Sequence, residues 1–133
     1  MRDFARQQTA ALLKKLVIQV NRAARSGDAD AVHDLRVAIR RLSRCLRVFG
    51  QFYPGHGWKK MRRRLKEILD ACAVVRDRDI ALELLARAGF PAGSIVVRRL
   101  HRERGEALVE LNALLRRWRE RGAPRKWAGQ LGL

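Results

Sequence analysis

Apolar residues recur at helical spacing along almost the whole chain, and this periodicity most limits the folds available to it. In the segment that begins near residue 29, the apolar residues that follow one another three or four positions apart are Leu35, Ile39, Leu42, Leu46 and Phe49. Such spacing places side chains on one face of an α-helix. No stretch alternates apolar and polar residues for long, as a half-buried strand would. The sequence therefore predicts an all-α fold.

We predict five helices joined by short connections. Their expected bounds are 3–25, 29–52, 58–74, 77–88 and 93–121. Asp28 or Asp30 can cap the second helix. Because the connections are short, the helices should pack as an antiparallel helical bundle of four to five helices with basic faces. We assign residues 1–121 to this one bundle and expect 122–133, which contains Gly and Pro, to be a loose C-terminal tail from which Trp127 could dock.

The charge balance points to an anionic partner. The chain carries 30 Lys plus Arg against 13 Asp plus Glu, a formal net charge of +17. Nucleic acid, polyphosphate and an acidic membrane surface are the partners that such an excess attracts. No run of about 18 apolar residues occurs, so we expect no membrane span. Without an export signal we expect a cytoplasmic protein, with Cys45 and Cys72 reduced and in the core.

The positive charge is concentrated between Leu35 and Lys66, where 11 Lys or Arg and no Asp or Glu occur. A stretch of one sign repels itself, and binding of an external anion would relieve that repulsion. On the second helix, a basic stripe falls within about 80° on the side opposite the apolar residues. Its members are His33, Arg36, Arg40, Arg44 and Arg47. A basic face that is merely solvated is the alternative interpretation.

Basic residues on two further helices extend the candidate anion-binding set. Lys59, Arg63 and Lys66 lie away from the apolar face of the third helix. Arg98 and Arg102 lie roughly opposite the leucine stripe of the fifth. Arg is well suited to phosphate because its planar guanidinium can bind two oxygens at once. Helical phase alone does not show which of these stripes meet in space.

Few residues could support catalysis or bind a metal. Asp77 and Asp79 lie two positions apart, and we interpret them as caps at the start of a helix. His33 and Asp34 point about 100° apart on a helix and form a poor chelating pair. No Gly-rich phosphate loop or nucleophile elbow occurs. We expect no catalytic residue, no metal and no cofactor, and a phosphate-processing enzyme that uses the two aspartates is the weakest hypothesis.

Two motifs in the chain resemble those of a known family. Residues 32–44 read VHDLRVAIRRLSR, in which a His is followed after three residues by an Arg and then by an Arg pair and a further Arg. Residues 76–80 read RDRDI, similar to an Arg-Asp-x-Asp-Val motif. In this order the two motifs resemble the CHAD domain, the conserved histidine α-helical domain. The long helix that follows them, with Leu100, Arg104 and Leu108, is a weaker match.

The resemblance implies an all-helical fold that binds inorganic polyphosphate through a basic surface and associates with polyphosphate granules. It assigns anion contacts to His33, Arg36, Arg40, Arg41 and Arg44. By helical phase Arg41 lies at the edge of the stripe and could serve a neighbouring helix instead. Domains of this family usually contain two such bundles, whereas this chain has room for one. We therefore expect a homodimer whose two basic faces surround one shared channel.

A nucleic-acid-binding protein is the second hypothesis, because the net charge fits it equally well. Aromatic residues make up only 6% of the chain. Trp58, Trp118 and Trp127 are scattered along it, whereas single-stranded nucleic acid is usually bound on a platform of stacked aromatics. The sequence therefore favours a non-catalytic polyphosphate-binding module.

Overall fold

A computed structural model describes residues 1–133. It contains five α-helices and no strand, which confirms the prediction of an all-α fold. The helices are α1 (Arg2–Arg25), α2 (Ala29–Val48), α3 (Gly57–Arg87), α4 (Ile95–Glu120) and α5 (Ala123–Leu131). None of these helices combines the length and the apolar character needed to cross a lipid bilayer.

Helices α1 to α4 pack on one another in chain order around one core. Thr9 and Arg22 of α1 contact Cys45 and Asp34 of α2, respectively. Position numbers rise on one helix as they fall on the other, so the two helices are antiparallel. Each of the four helices contributes a leucine that is at most 1% exposed: Leu16, Leu35, Leu65 and Leu111. Burial of such side chains is the main stabilising contribution in a bundle of this kind.

The turn between α1 and α2 is fixed by a cap and by a close contact. Asp28 is the N-cap of α2, and its carboxylate accepts a hydrogen bond of 2.8 Å from the backbone N–H of Ala31 and one of 3.0 Å from Ser26 Oγ. These two bonds, the backbone bond first, hold the pKa of Asp28 below its ordinary value. Gly27 lies against Leu108 of α4, where an added Cβ would come within 2.5 Å of Leu108 Cδ2.

Helix α2 ends at Val48, before the predicted end at residue 52, and a 3-10 turn follows at Gly50–Phe52. The segment after this turn is held against α1, because a buried hydrogen bond of 2.6 Å joins the Tyr53 hydroxyl to Thr9 Oγ1. Burial raises the pKa of the Tyr53 hydroxyl above its ordinary value. The turn reverses the chain and allows α3 to pack on α2.

Helix α3 is continuous, and the predicted break between residues 74 and 77 is wrong. After its first residue α3 contains no Gly or Pro. Val and Asp in a helix interior cost less than about 1 kcal/mol relative to Ala. Cys72 and Val75 are fully buried, so core packing favours continuation of the helix through this point. Asp77 and Asp79 therefore lie inside a helix and do not cap one.

The expected loose tail is instead a helix that closes the bundle. Gly122 joins α4 to α5 in the left-handed conformation, with φ of 64°, and Pro124 occupies the first turn of α5. Trp127 is buried against Trp118, with ring centroids 5.4 Å apart and an angle of 80° between the rings. The bundle thus extends beyond residue 121, as far as Leu131.

Candidate functional site

A groove runs between α2 and α3, and its cavity has a volume of about 520 Å³. Ile39 and Ser43 line its α2 side. Its α3 side is formed by Trp58, Lys59, Arg62, Arg63, Leu65, Lys66 and Leu69. We call this feature the basic groove. Three predicted contacts, Lys59, Arg63 and Lys66, therefore share one surface, and all three are exposed.

Two hydrogen bonds cross between α3 and α2 beside the basic groove. Arg76 Nη1 donates to Nδ1 of His33 over 2.9 Å, and Arg62 Nε donates to Ser43 Oγ over 3.2 Å. A guanidinium has only donors, so Nδ1 of His33 is the acceptor and Nε2 carries the ring proton. At a rise of 1.5 Å per residue the two contacts are about 15 Å apart along α2. We use the name cationic track for the stripe residues of α2 together with Lys59, Arg62, Arg63, Lys66 and Arg76 of α3. The track is long enough to meet several groups of an extended anion.

The remaining stripe residues of α2 stand beside these two contacts. Arg40, Arg44 and Arg47 are exposed, and they lie on the same side of α2 as His33. Arg36 is half-buried, and its Nε has no hydrogen-bond partner. Burial raises the pKa of the nearby Cys72 thiol to about 12, although the positive charge of Arg36 opposes that rise. This thiol therefore stays protonated, and the charge of Arg36 has no thiolate to neutralise it.

Pairing within the chain neutralises little of this charge. The ammonium of Lys66 lies 3.0 Å from a carboxylate oxygen of Asp70 one turn along α3, and both side chains are well exposed. Such an exposed pair contributes little free energy and is readily exchanged for another partner. The ammonium of Lys59 lies over the ring of Trp58, 5.6 Å from its centroid. Most cations of the groove are therefore available to an external anion.

None of the five stripe residues of α2 lines the basic groove itself, and three further predicted contacts lie away from both the groove and the stripe. Arg41 lines a cleft on the other side of α2, between α1 and α2. Arg98 and Arg102 are exposed on α4. Glu103 pairs with Arg78 and therefore lies on the face of α4 that meets α3. Around the helix axis, Arg98 points about 140° away from Glu103 and Arg102 about 100° away. They remain predicted anion contacts, but they do not extend the track between α2 and α3.

The RDRD segment joins α3 to its neighbours on both sides. Asp79 accepts a hydrogen bond of 2.5 Å from Arg104 Nε of α4, and Arg104 Nη2 donates to the carbonyl oxygen of Gly27 over 2.6 Å. Arg78 lies 2.8 Å from a carboxylate oxygen of Glu103. These contacts fix the segment from which Arg76 reaches His33. No three His, Cys, Asp or Glu side chains are grouped as a set of metal ligands would be.

Two residues of the site, Arg62 and Arg76, were absent from the predicted set. With Leu69 they are spaced seven residues apart and share one face of α3. This spacing is the sequence signal that identifies them. The predicted break between residues 74 and 77 concealed it, because the phase of a helix cannot be carried across an interruption.

Comparison with known proteins assigns the family. The family model of the CHAD domain matches residues 7–131. This match begins within α1 and ends at the last residue of α5, so it covers the bundle and the basic groove. Searches of curated proteins and of solved structures return no significant match. On the strength of the family match, this chain belongs to the CHAD-domain family.

Proposed function

We propose that the chain binds inorganic polyphosphate, or another phosphate polyanion, through the basic groove and leaves it chemically unchanged. CHAD domains are known to bind polyphosphate and are generally binding domains, not catalytic ones. The observation that carries the proposal is the presence of cations on two neighbouring helices: Arg63 and Lys66 of α3 line the basic groove, and the exposed stripe on α2, which includes Arg40, is joined to α3 by the contact between His33 and Arg76. A cytoplasmic location with association to polyphosphate granules belongs to the same proposal.

The energetics of such a site come from many similar contacts. Each guanidinium can donate two charge-assisted hydrogen bonds to phosphate oxygens. Binding also releases counterions condensed on the polyanion, so affinity should fall steeply as salt rises. Because the track is about 15 Å long, affinity should increase with polyphosphate chain length until the track is filled.

Nucleic acid is the competing ligand, and the aromatic content of the groove argues against it. Trp58 is the one aromatic residue that lines the groove, and Lys59 already covers its ring. Proteins that bind single-stranded nucleic acid usually stack successive bases on several aromatic rings. A polyanion without bases would lose nothing from the absence of such a platform.

We further propose that two copies pair and bring their basic faces around one channel. An exposed apolar patch at the tip of the α3–α4 hairpin supports a self-association surface. We define this patch by Ile80, Leu84, Phe90 and Ile95, which are 41%, 58%, 47% and 84% exposed. Beyond Val75, α3 buries no further side chain fully, so this tip extends past the shared core. Contiguous exposed apolar residues commonly mark protein interfaces.

The proposed site is tested by replacing two stripe residues together. Arg40→Ala with Arg44→Ala should weaken polyphosphate binding at least tenfold in calorimetric titration, because two charge-assisted contacts are lost. The matched control is Arg116→Ala with Arg119→Ala, which removes the same charge from exposed positions on α4. Circular dichroism should show unchanged helix content in both variants. Equal affinity of the stripe variant and the unmodified chain would contradict the proposed site.

A further inference from the structure

A second cavity, of about 300 Å³, lies between α3, α4 and α5. Its lining is strongly cationic: five basic residues accompany one carboxylate, that of Glu67. The basic residues are Lys60, Arg64, Arg117, Arg121 and Lys126. We call it the α5 cavity. Its size is at the lower end of the range for small-molecule sites, about 300–1,000 Å³.

The base of the α5 cavity is aromatic and apolar. Trp118 and Trp127 both line it, and they are only 6% and 8% exposed. Met61 and Ile68 extend the apolar surface. The indole Nε1 of Trp118 is buried and has no hydrogen-bond acceptor in the chain. A buried donor without a partner costs free energy, which a ligand with a suitably placed acceptor would recover.

The α5 cavity is separate from the basic groove. The two share no lining residue, although both use α3. Consecutive lysines divide between them: Lys59 lines the basic groove and Lys60 lines the α5 cavity. Neighbouring positions on a helix point about 100° apart, so the two sites occupy different sides of α3.

From this combination we infer that the α5 cavity binds a nucleoside phosphate. The cations would hold its phosphates, and its base would lie against the apolar floor of the cavity and supply the acceptor that Nε1 of Trp118 lacks. Inorganic polyphosphate would use the cations but would leave the apolar floor of the cavity without a partner. A long polymer also fits a small cavity poorly, whereas it fits an open groove. The inference concerns a second site and does not depend on the proposed function of the basic groove.

The test compares ATP with inorganic tripolyphosphate, which has the same number of phosphates and no base. Binding is measured by calorimetry and by quenching of tryptophan fluorescence. ATP should bind at least tenfold more tightly than tripolyphosphate, because contact of the base with the apolar floor and with Nε1 of Trp118 adds to the phosphate contacts. Arg117→Ala should weaken ATP binding about tenfold. Arg116→Ala, its neighbour outside the cavity lining, should change ATP binding less than twofold.

A crossed pair of variants distinguishes the two sites. Lys60→Ala should weaken ATP binding and leave the affinity for long-chain polyphosphate within twofold, and Lys59→Ala should do the reverse. Equal affinity for ATP and tripolyphosphate would overturn the inference. So would ATP binding that is lost with Arg40→Ala but kept with Arg117→Ala, since the nucleotide would then occupy the basic groove. Absence of ATP binding at millimolar concentration would also overturn it.

Discussion

Nη1 of Arg76 lies 2.9 Å from Nδ1 of His33, and this contact joins the two motifs through which the sequence resembles the CHAD domain. The histidine comes from the stripe on α2, and the arginine comes from the RDRD segment of α3. Because Nδ1 accepts from the guanidinium, the proton on Nε2 can be donated to an anion. The contact therefore orients His33 and adds a positive charge beside it.

Replacement of Arg76 by Met should weaken polyphosphate binding by about five- to twentyfold. The variant loses one cation and the hydrogen bond that orients His33, and a hydrogen bond to a charged group contributes about 1.5 kcal/mol or more. Calorimetric titration measures the loss. The control is Arg87→Met, because Arg87 is exposed near the end of α3 and pairs with Glu83 one turn away. If both variants lose affinity equally, total charge determines binding and the contact with His33 does not.

Asp79 and Arg104 should be strongly coupled in their effects on stability. Their side chains are only 20% and 18% exposed, and Arg104 also donates to the carbonyl oxygen of Gly27. Arg104→Ala should lower the free energy of unfolding by about 2 kcal/mol, since it leaves a partly buried carboxylate without its partner. A double-mutant cycle with Asp79→Ala, followed by urea unfolding, should give a coupling energy of about 1–3 kcal/mol. A coupling energy below about 0.5 kcal/mol would show that the pair does not act as a unit.

Asp28→Asn should reduce the loss of stability in acid. The folded-state pKa of Asp28 is lowered, so its stabilising effect is complete above the unfolded pKa of about 3.9 and is lost as pH falls through the folded pKa. Asn keeps an oxygen that accepts the capping bond but does not titrate. We expect the free energy of unfolding, measured with urea from pH 5 to about pH 2, to fall less steeply for the variant than for the unmodified chain. If the free energy of unfolding fell equally in both proteins, protonation of Asp28 would not weaken the cap.

Leu84→Glu should dissociate the proposed dimer into monomers. Leu84 lies in the apolar patch at the α3–α4 hairpin tip. In a symmetric dimer formed through this patch, the new glutamate would be buried or would lie close to the same glutamate of the second copy. Sedimentation at several concentrations measures the change, and we expect the dissociation constant to rise at least tenfold. Val109→Glu is the control, since Val109 is 69% exposed on α4 outside the patch. An unmodified chain that remains monomeric at high micromolar concentration would contradict the proposed dimer.

The helical bundle could be predicted because the residues that specify each helix lie close together in the sequence. The apolar stripe of Leu35, Ile39 and Leu42 sets the buried face of α2, and the same phase locates the exposed arginines opposite it. Residue type and position alone limited the cap of α2 to Asp28 or Asp30, and Asp28 is the cap. Features of this kind depend on the sequence within one or two helical turns.

The length of α3 and the fate of the C-terminal segment depend on distant contacts. The interior of α3 contains Val74 and Asp77, residues with modest helix propensity, and only packing of Cys72 and Val75 in the core decides that the helix continues. In the same way, α5 is fixed by the contact between Trp127 and Trp118. Such contacts cannot be derived from the phase of one helix.

Which faces of the helices pack against one another could not be predicted from the sequence either. Phase placed Arg98 and Arg102 on an exposed face of α4, but only contacts between the helices, the ion pairs of Glu103 with Arg78 and of Arg104 with Asp79, show which side of α4 meets α3. The cations of the α5 cavity were likewise not recognised as a group, because Arg117 and Lys126 belong to different helices. Their grouping follows from the docking of α5.

The most direct test of polyphosphate binding is a calorimetric titration of the unmodified chain with medium-chain polyphosphate at two salt concentrations. Duplex DNA at equal phosphate concentration is the comparator. We predict tight binding to polyphosphate, a steep loss of affinity at the higher salt, and at least tenfold weaker binding to DNA. Equal affinity for the two polyanions at both salt concentrations would contradict it, since the basic groove would then bind any phosphate polymer by charge alone.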